Sequence, residues 1–126
     1  MTPTYVVDAS FVLAFLLPDE KTAHTDDIFA RYSRGECKLI APQLLPFETF
    51  NGLESAIVRK RLAHETAMRL ARDFLNLRIP LQDTDFEGAF TIARAEKLSV
   101  YDAAYIQLAR ASRAPLLTMD ARLRKG

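Results

Sequence analysis

The stretch Tyr5-Val6-Val7-Asp8-Ala9-Ser10 decides how the chain folds, because three residues suited to both faces of a buried strand run straight into a carboxylate. A strand apolar on both faces belongs in the middle of a parallel sheet covered by helices on each side. Such a strand cannot keep a charge inside it, so Asp8 is expected at the carboxyl edge of the sheet, where the ligand crevices of open α/β sheets lie. Ser10 is then expected to cap an apolar helix from Phe11 to Leu17. A second reading stays open, in which Asp8 is only a turn or capping residue.

Outward from this stretch, short strands alternate with helices. Pro18-Asp19-Glu20 breaks the first helix and opens a second, about Lys21 to Arg34, with Ala23, Ile28, Phe29 and Tyr32 at helical spacing and Gly35 ending it. Lys38 to Ala41 reads as a strand. Pro42 is expected to begin a long helix reaching Arg61, with Phe47, Phe50, Leu53 and Ile57 on one stripe, followed by a helix from His64 to Leu77. Arg78 to Leu81 reads as a strand, and Thr84-Asp85-Phe86-Glu87 and Ser99-Val100-Tyr101-Asp102 as capping boxes opening helices to Lys97 and Ser112. Pro115 to Thr118 is a further strand, and Asp120 starts a last helical turn. The alternation predicts an α/β fold, a parallel sheet with right-handed crossovers, over residues 1–126 as a single domain without repeats or linkers. The chain stops at Arg122-Leu123-Arg124-Lys125-Gly126, where the pattern calls for one more edge strand.

Composition removes several function classes. With 126 residues the chain can bury roughly two thirds of its unfolded surface without staples. The single Cys37 forms no internal bridge and reads as a buried thiol, compatible with a reducing compartment. The longest apolar run is too short to span a bilayer, so the expected location is the cytoplasm, with no membrane partner. Seventeen basic and sixteen acidic residues nearly cancel, so any polyanion contact has to come from a local patch. The four glycines are too scattered for a P-loop or a dinucleotide fingerprint, and His24 and His64 stand alone, which excludes a zinc spacing.

Four acids stand out by position. Asp8 and Asp120 follow strands, Asp102 lies in the first turn of its helix, and Glu48 flanks the Phe47–Phe50 stripe with Asn51 on the same face. Each has a plain alternative: Asp102 as the acidic member of its capping box, Asp120 as a cap, Glu48 as a snorkelling helix residue, and Asp83 as a rival acid after a strand. Taken jointly the alternatives weaken. Carboxylates within about 5 Å repel by roughly 3 kcal/mol per pair at an effective dielectric near 20, which a fold keeps only with compensation. Oxygen-only ligands suit a hard divalent cation, Mg²⁺ or Mn²⁺, that activates water and binds phosphate oxygens.

The segments Val6-Val7-Asp8-Ala9-Ser10, Phe47-Glu48-Thr49-Phe50-Asn51-Gly52-Leu53, Val100 to Ala109 with Tyr101-Asp102-Ala103-Ala104-Tyr105, and Leu117-Thr118-Met119-Asp120-Ala121-Arg122-Leu123 resemble the four acidic motifs of the PIN-domain family, and most nearly its VapC-type toxins. The resemblance covers essentially the whole chain. It implies a three-layer fold and a Mg²⁺-dependent endoribonuclease that cuts structured RNA, tRNA or rRNA, and is held inactive by an antitoxin. It further implies Asp8 and Asp102 as principal metal ligands, Glu48 and Asp120 completing the catalytic site, and Ser10, Asn51 and Thr118 as supporting polar groups. The family's usual final strand is missing.

Arg59, Lys60 and Arg61, with Arg69 and Arg72, and the tail residues Arg122, Arg124 and Lys125, are candidates to guide an RNA backbone, since phosphate contacts position without reading sequence. Solvated helix ends are the other reading of these cations. The apolar richness of Pro42 to Leu77, with Phe47, Phe50, Phe74 and Leu75, points to a homodimer and an antitoxin groove. Competing functions fit less well. A phosphoacceptor receiver wants an acidic pair after the first strand and a Lys after the last, and a haloacid-type phosphatase wants an acid where Ser10 stands. A PIN-like binding module without activity is disfavoured by the presence of all four acids.

Overall fold

The computed structural model describes residues 2–124. In chain order the elements are β1 (Thr4–Val7), α1 (Ala9–Leu16), α2 (Ala23–Ser33), β2 (Lys38–Pro42), α3 (Leu45–Val58), α4 (His64–Leu77), β3 (Leu81–Gln82), α5 (Phe86–Glu96), α6 (Val100–Ser112), β4 (Leu116–Leu117) and α7 (Ala121–Arg124). The four strands pair in the order β3-β2-β1-β4, every pair parallel. Val6 and Val7 point to opposite faces of β1, and both are fully buried, so helices cover the sheet on both sides. On one set of contacts α6, backed by α5, lies against β1, β2 and β4, while α1 packs with α2, α3 and α4.

From β1 the chain goes to β2 and β3 on one side and returns to β4 on the other. The carboxyl ends of β1 and β4 therefore form the switch point where open α/β sheets place their ligands. The ladder runs on past β1, since Asp8 N–H donates to Leu117 O at 3.2 Å. On its outer side β4 pairs with no strand among the described residues.

Several boundaries differ from expectation, each for a local reason. The cap of α1 is Asp8, not Ser10: the Asp8 carboxylate accepts from Phe11 N–H at 3.0 Å. α2 opens on Thr22, whose hydroxyl accepts from Thr25 N–H at 3.1 Å, so Pro18 to Lys21 is a connection and not a helix start. Pro42 closes β2, and the proline of the α3 first turn is Pro46. The cap of α5 is Asp85, accepting from Gly88 N–H at 3.0 Å, which displaces the Thr84–Glu87 box. α4, α5 and α6 end on Arg78, Lys97 and Arg113 in the left-handed conformation that usually favours glycine. Because Arg78 is spent on this cap, β3 starts at Leu81 and not at Arg78.

The stripe that α3 buries is Leu45, Thr49, Leu53 and Ala56, not the expected Phe47, Phe50, Leu53 and Ile57. Phe47 is 81% exposed and Phe50 lies at the margin, edge-on to the buried Phe74 with ring centroids 5.9 Å apart. Small residues win the interface because α1 comes close: a Cβ on Gly52 would stand 2.3 Å from Leu13 Cδ1. That approach carries Asp8 and Ser10 toward Glu48 and Asn51. The same tight packing leaves Thr49 Oγ1 buried without a hydrogen-bond partner among the described residues. Thr49→Val removes an unpaired hydroxyl at nearly constant shape and is expected to stabilise by about 1 kcal/mol. An unchanged or lower melting temperature would mean that bound water satisfies the hydroxyl.

Candidate active site

Three helices, α1, α3 and α6, each carry one of the singled-out acids at their start. Asp8 caps α1, Glu48 lies in the first turn of α3 and Asp102 in the first turn of α6. Helix N-termini carry partial positive charge, so the fold offsets part of the repulsion among these acids. With Ser10, Asn51, Ser55, Tyr105 and Asp120 they line one cavity of about 400 Å³. All four predicted acids are therefore brought together, and the predicted polar residues Ser10 and Asn51 with them.

Asp8 is 6% exposed and is held from every side. Its Oδ1 accepts from the Ser10 hydroxyl at 2.6 Å and from Phe11 N–H, and its Oδ2 accepts a short hydrogen bond from the Thr118 hydroxyl. Ser10 in turn accepts from Met119 N–H at 2.9 Å, and Thr118 from Asp120 N–H at 3.0 Å. The two hydroxyls thus lash the β1 and β4 ends together around one carboxylate. About four lone-pair sites exist on a carboxylate, and three are taken, which leaves one on Oδ2 for a ligand. Burial is the main cause that pushes Asp8 above the usual carboxylate range, the three hydrogen bonds pull it part of the way back, and repulsion from Asp102 adds a further push.

Glu48 is half-buried, and its Oε1 accepts from the Tyr105 hydroxyl at 2.8 Å. Burial raises it as well, against that hydrogen bond and with repulsion from Asp102 and Asp8. Tyr105, buried beneath the acids, is held far above the ordinary phenol range, so it remains a donor. In the sequence the only signal of a site role for Tyr105 is its place within the third acidic segment.

Asp102 is not the acidic member of a reciprocal capping box. Ser99 Oγ accepts from Asp102 N–H at 3.0 Å, while the Asp102 carboxylate turns to Arg122, with Nη2 3.4 Å from Oδ2. Arg122 also holds Asp120, through Nη2 to Oδ2 at 2.8 Å and through its backbone N–H to Oδ1 at 2.9 Å. These hydrogen bonds keep Asp120 below the usual carboxylate range. Arg122, expected on an RNA path, thus stands inside the acidic site.

The other cations lie elsewhere. Arg61 bonds Asp19 at 2.9 Å and Glu20 at 2.7 Å, tying the end of α3 to the connection after α1. Arg59 and Lys60 follow the far end of α3, about 16 Å along the helix from Glu48. Arg69 and Arg72 are exposed on α4. Arg124 donates through Nε to Thr118 O at 3.0 Å, and Lys125 lies outside the described residues. Asp83 accepts from Gln43 at 2.7 Å in a separate apolar hollow lined by Phe47, Phe86 and Tyr101, apart from the acidic cavity.

The donor set fits a hard divalent cation in chemistry, being oxygen throughout, with two carboxylates left short of compensation. Among the described residues no three acidic, His or Cys side chains stand close enough to ligate one ion as they are arranged. A guanidinium already bridges Asp102 and Asp120, which shows that this edge of the site accepts a cation.

The PIN domain family model matches residues 5–126. Ribonuclease VapC3 of Pyrobaculum aerophilum is 28% identical over 122 residues, covering 94% of this chain and 90% of that protein. The crystal structure of PAE2754 from Pyrobaculum aerophilum superimposes with a TM-score of 0.76 at 26% identity, over 98% of this chain and 85% of that one. VapC20 of Mycobacterium tuberculosis, described as a Sarcin-Ricin loop cleaving toxin, shares the fold at a TM-score of 0.63 and 14% identity, over 96% of this chain and 93% of its own. With the four acidic segments in order along a parallel sheet of this topology, and a family match that runs from Tyr5 to the last residue, the chain belongs to the PIN domain family.

Proposed function

We propose that the protein is a Mg²⁺- or Mn²⁺-dependent endoribonuclease of the VapC toxin type, which hydrolyses phosphodiester bonds of structured RNA, tRNA or rRNA, at the site of Asp8, Glu48, Asp102 and Asp120. The observation that carries this reading is the convergence of these acids on one open cavity at the β1/β4 switch point, with two of them held above their ordinary range. A bound divalent cation supplies activation of water and neutralisation of charge on the reacting phosphate. Asp8 offers its last lone pair from a fixed orientation, because Ser10, Thr118 and Phe11 N–H leave its carboxylate no freedom to turn. Tyr105 orients Glu48 by donating to Oε1, which leaves Oε2 toward the site chemistry. Asn51 and Ser55, on the same face of α3 as Glu48, are polar groups within reach of a substrate in the cavity.

Purified protein incubated with total RNA is expected to generate new ends in Mg²⁺ and none in chelator; cleavage unaffected by chelator removes the metal-dependent reading. The partners proposed are an RNA substrate, a cognate antitoxin and a second copy of the chain, in the cytoplasm. Among the described residues no helix is long and apolar enough to cross a membrane. Exposed apolar side chains support the protein partners: Phe47 at 81%, Phe86 at 72%, Tyr101 at 66% and Leu75 at 56%. Phe74, which the sequence offers for this surface beside Phe47, Phe50 and Leu75, belongs to the core. Sedimentation at tens of micromolar is expected to show a dimer, and a monomer alone removes that part of the proposal.

A further inference from the structure

We propose that Arg122 is the resting counter-ion of the acidic site, and that a divalent cation reaches Asp102 and Asp120 only by displacing its guanidinium. This inference rests on the metal-dependent reading above. Nη2 of Arg122 spans two acids from different elements, 2.8 Å from Asp120 Oδ2 and 3.4 Å from Asp102 Oδ2, while Nε stands 3.3 Å from Asp120 Oδ1. With the Arg122 backbone N–H also on Oδ1, little of the Asp120 acceptor capacity is left for anything else. A planar guanidinium fork suits this double attachment, and an ammonium does not. The contact is also built to be released. The Arg122 side chain is 67% exposed, so its departure unpacks nothing, and ion pairs so exposed are individually weak. Asp8 and Glu48, by contrast, are bonded among the described residues by hydroxyls and an N–H and not by a cation, which leaves them short of positive charge that a divalent ion brings.

The neighbouring Arg124 provides the control. It is two residues away and carries the same charge, but its Nε bonds the Thr118 carbonyl, and among the described residues it meets no carboxylate. Binding of Mn²⁺ alone, without RNA, is measured by calorimetry on the full chain. Arg122→Gln is expected to bind Mn²⁺ about 2- to 30-fold more tightly than wild type, the range set by the strength of two exposed ion pairs. Arg124→Gln is expected to stay within about twofold, since it removes charge from the field but no competitor from the acids. Should Arg122→Gln not fold, Arg122→Lys carries the test, because it keeps the charge and loses the fork, and is expected to tighten binding by a smaller factor. Unchanged or weaker Mn²⁺ binding in the folded Arg122 variant overturns the proposal, and so does equal tightening by Arg124→Gln. In either case chelator-sensitive RNA cleavage by wild type leaves the nuclease reading standing. Absence of Mn²⁺ binding in all the proteins, together with cleavage that ignores chelator, removes both.

Discussion

Asp8→Asn, Glu48→Gln, Asp102→Asn and Asp120→Asn are each expected to lose RNA cleavage by roughly 100-fold or more while remaining folded. Even outer partners of a metal ligand typically cost 10- to 100-fold when removed, so loss of a group that faces the cation costs at least as much. None of the four changes opens a cavity, because amide and carboxylate are nearly equal in volume. Asp83→Asn is the internal control: its carboxylate stands in the apolar hollow with Gln43, and an amide oxygen accepts the same hydrogen bond. End-mapping of cleaved RNA across the five variants, in Mg²⁺ and with circular dichroism to verify folding, reads the outcome. A dead Asp83→Asn beside an active Asp120→Asn would move the fourth acid to the other strand end.

Asp8→Asn is also expected to melt above wild type in chelator at neutral pH, and the order is expected to close or reverse in millimolar Mg²⁺. Burial raises the folded-state pKa of Asp8 above its unfolded value near 3.9. Below that unfolded value both states are protonated and Asp8 imposes no penalty. As pH rises, the unfolded chain releases the proton first, so folded-state stability falls until the pH passes the folded pKa and is constant beyond it. Asparagine has no such loss, and the gap between the two melting curves should open from about pH 4 upward. Mg²⁺ stabilises wild type by mass action and does little for the variant. Asp8 is at once a metal candidate and the cap of α1, so the identity of the replacement matters. Asparagine still caps, whereas Asp8→Ala forfeits the bond from Phe11 N–H and is expected to destabilise by roughly 0.5 to 2 kcal/mol with or without metal. A destabilised Asp8→Asn with a gap independent of pH would mean that the carboxylate is retained as a cap and for nothing else.

What could be read in the sequence was what local chemistry dictates. The doubly buried Tyr5–Val7 run, the alternation of short strands with amphipathic helices, and acids placed at strand ends and helix starts depend on neighbours within a turn or two, and they led to the parallel sheet and to all four acids of the cavity. The side-chain partners of those acids are set by chain segments far apart. Asp8 meets Thr118 across 110 positions, Glu48 meets Tyr105 across 57, and Arg122 meets Asp102 across 20, none at a helical or strand period. Likewise helical spacing predicts a buried stripe of Phe47, Phe50, Leu53 and Ile57, whereas the close approach of α1 at Gly52 reserves that interface for Thr49 and Ala56. Helix ends on Arg78, Lys97 and Arg113 in a left-handed conformation escape any rule that looks for glycine. By itself the sequence determined which groups of the protein carry charge and where along each element they stand. Tertiary packing alone decided which are buried, which hydroxyls hold them and which cation already stands between them, because solvation and pairing exist only once the distant segments have met.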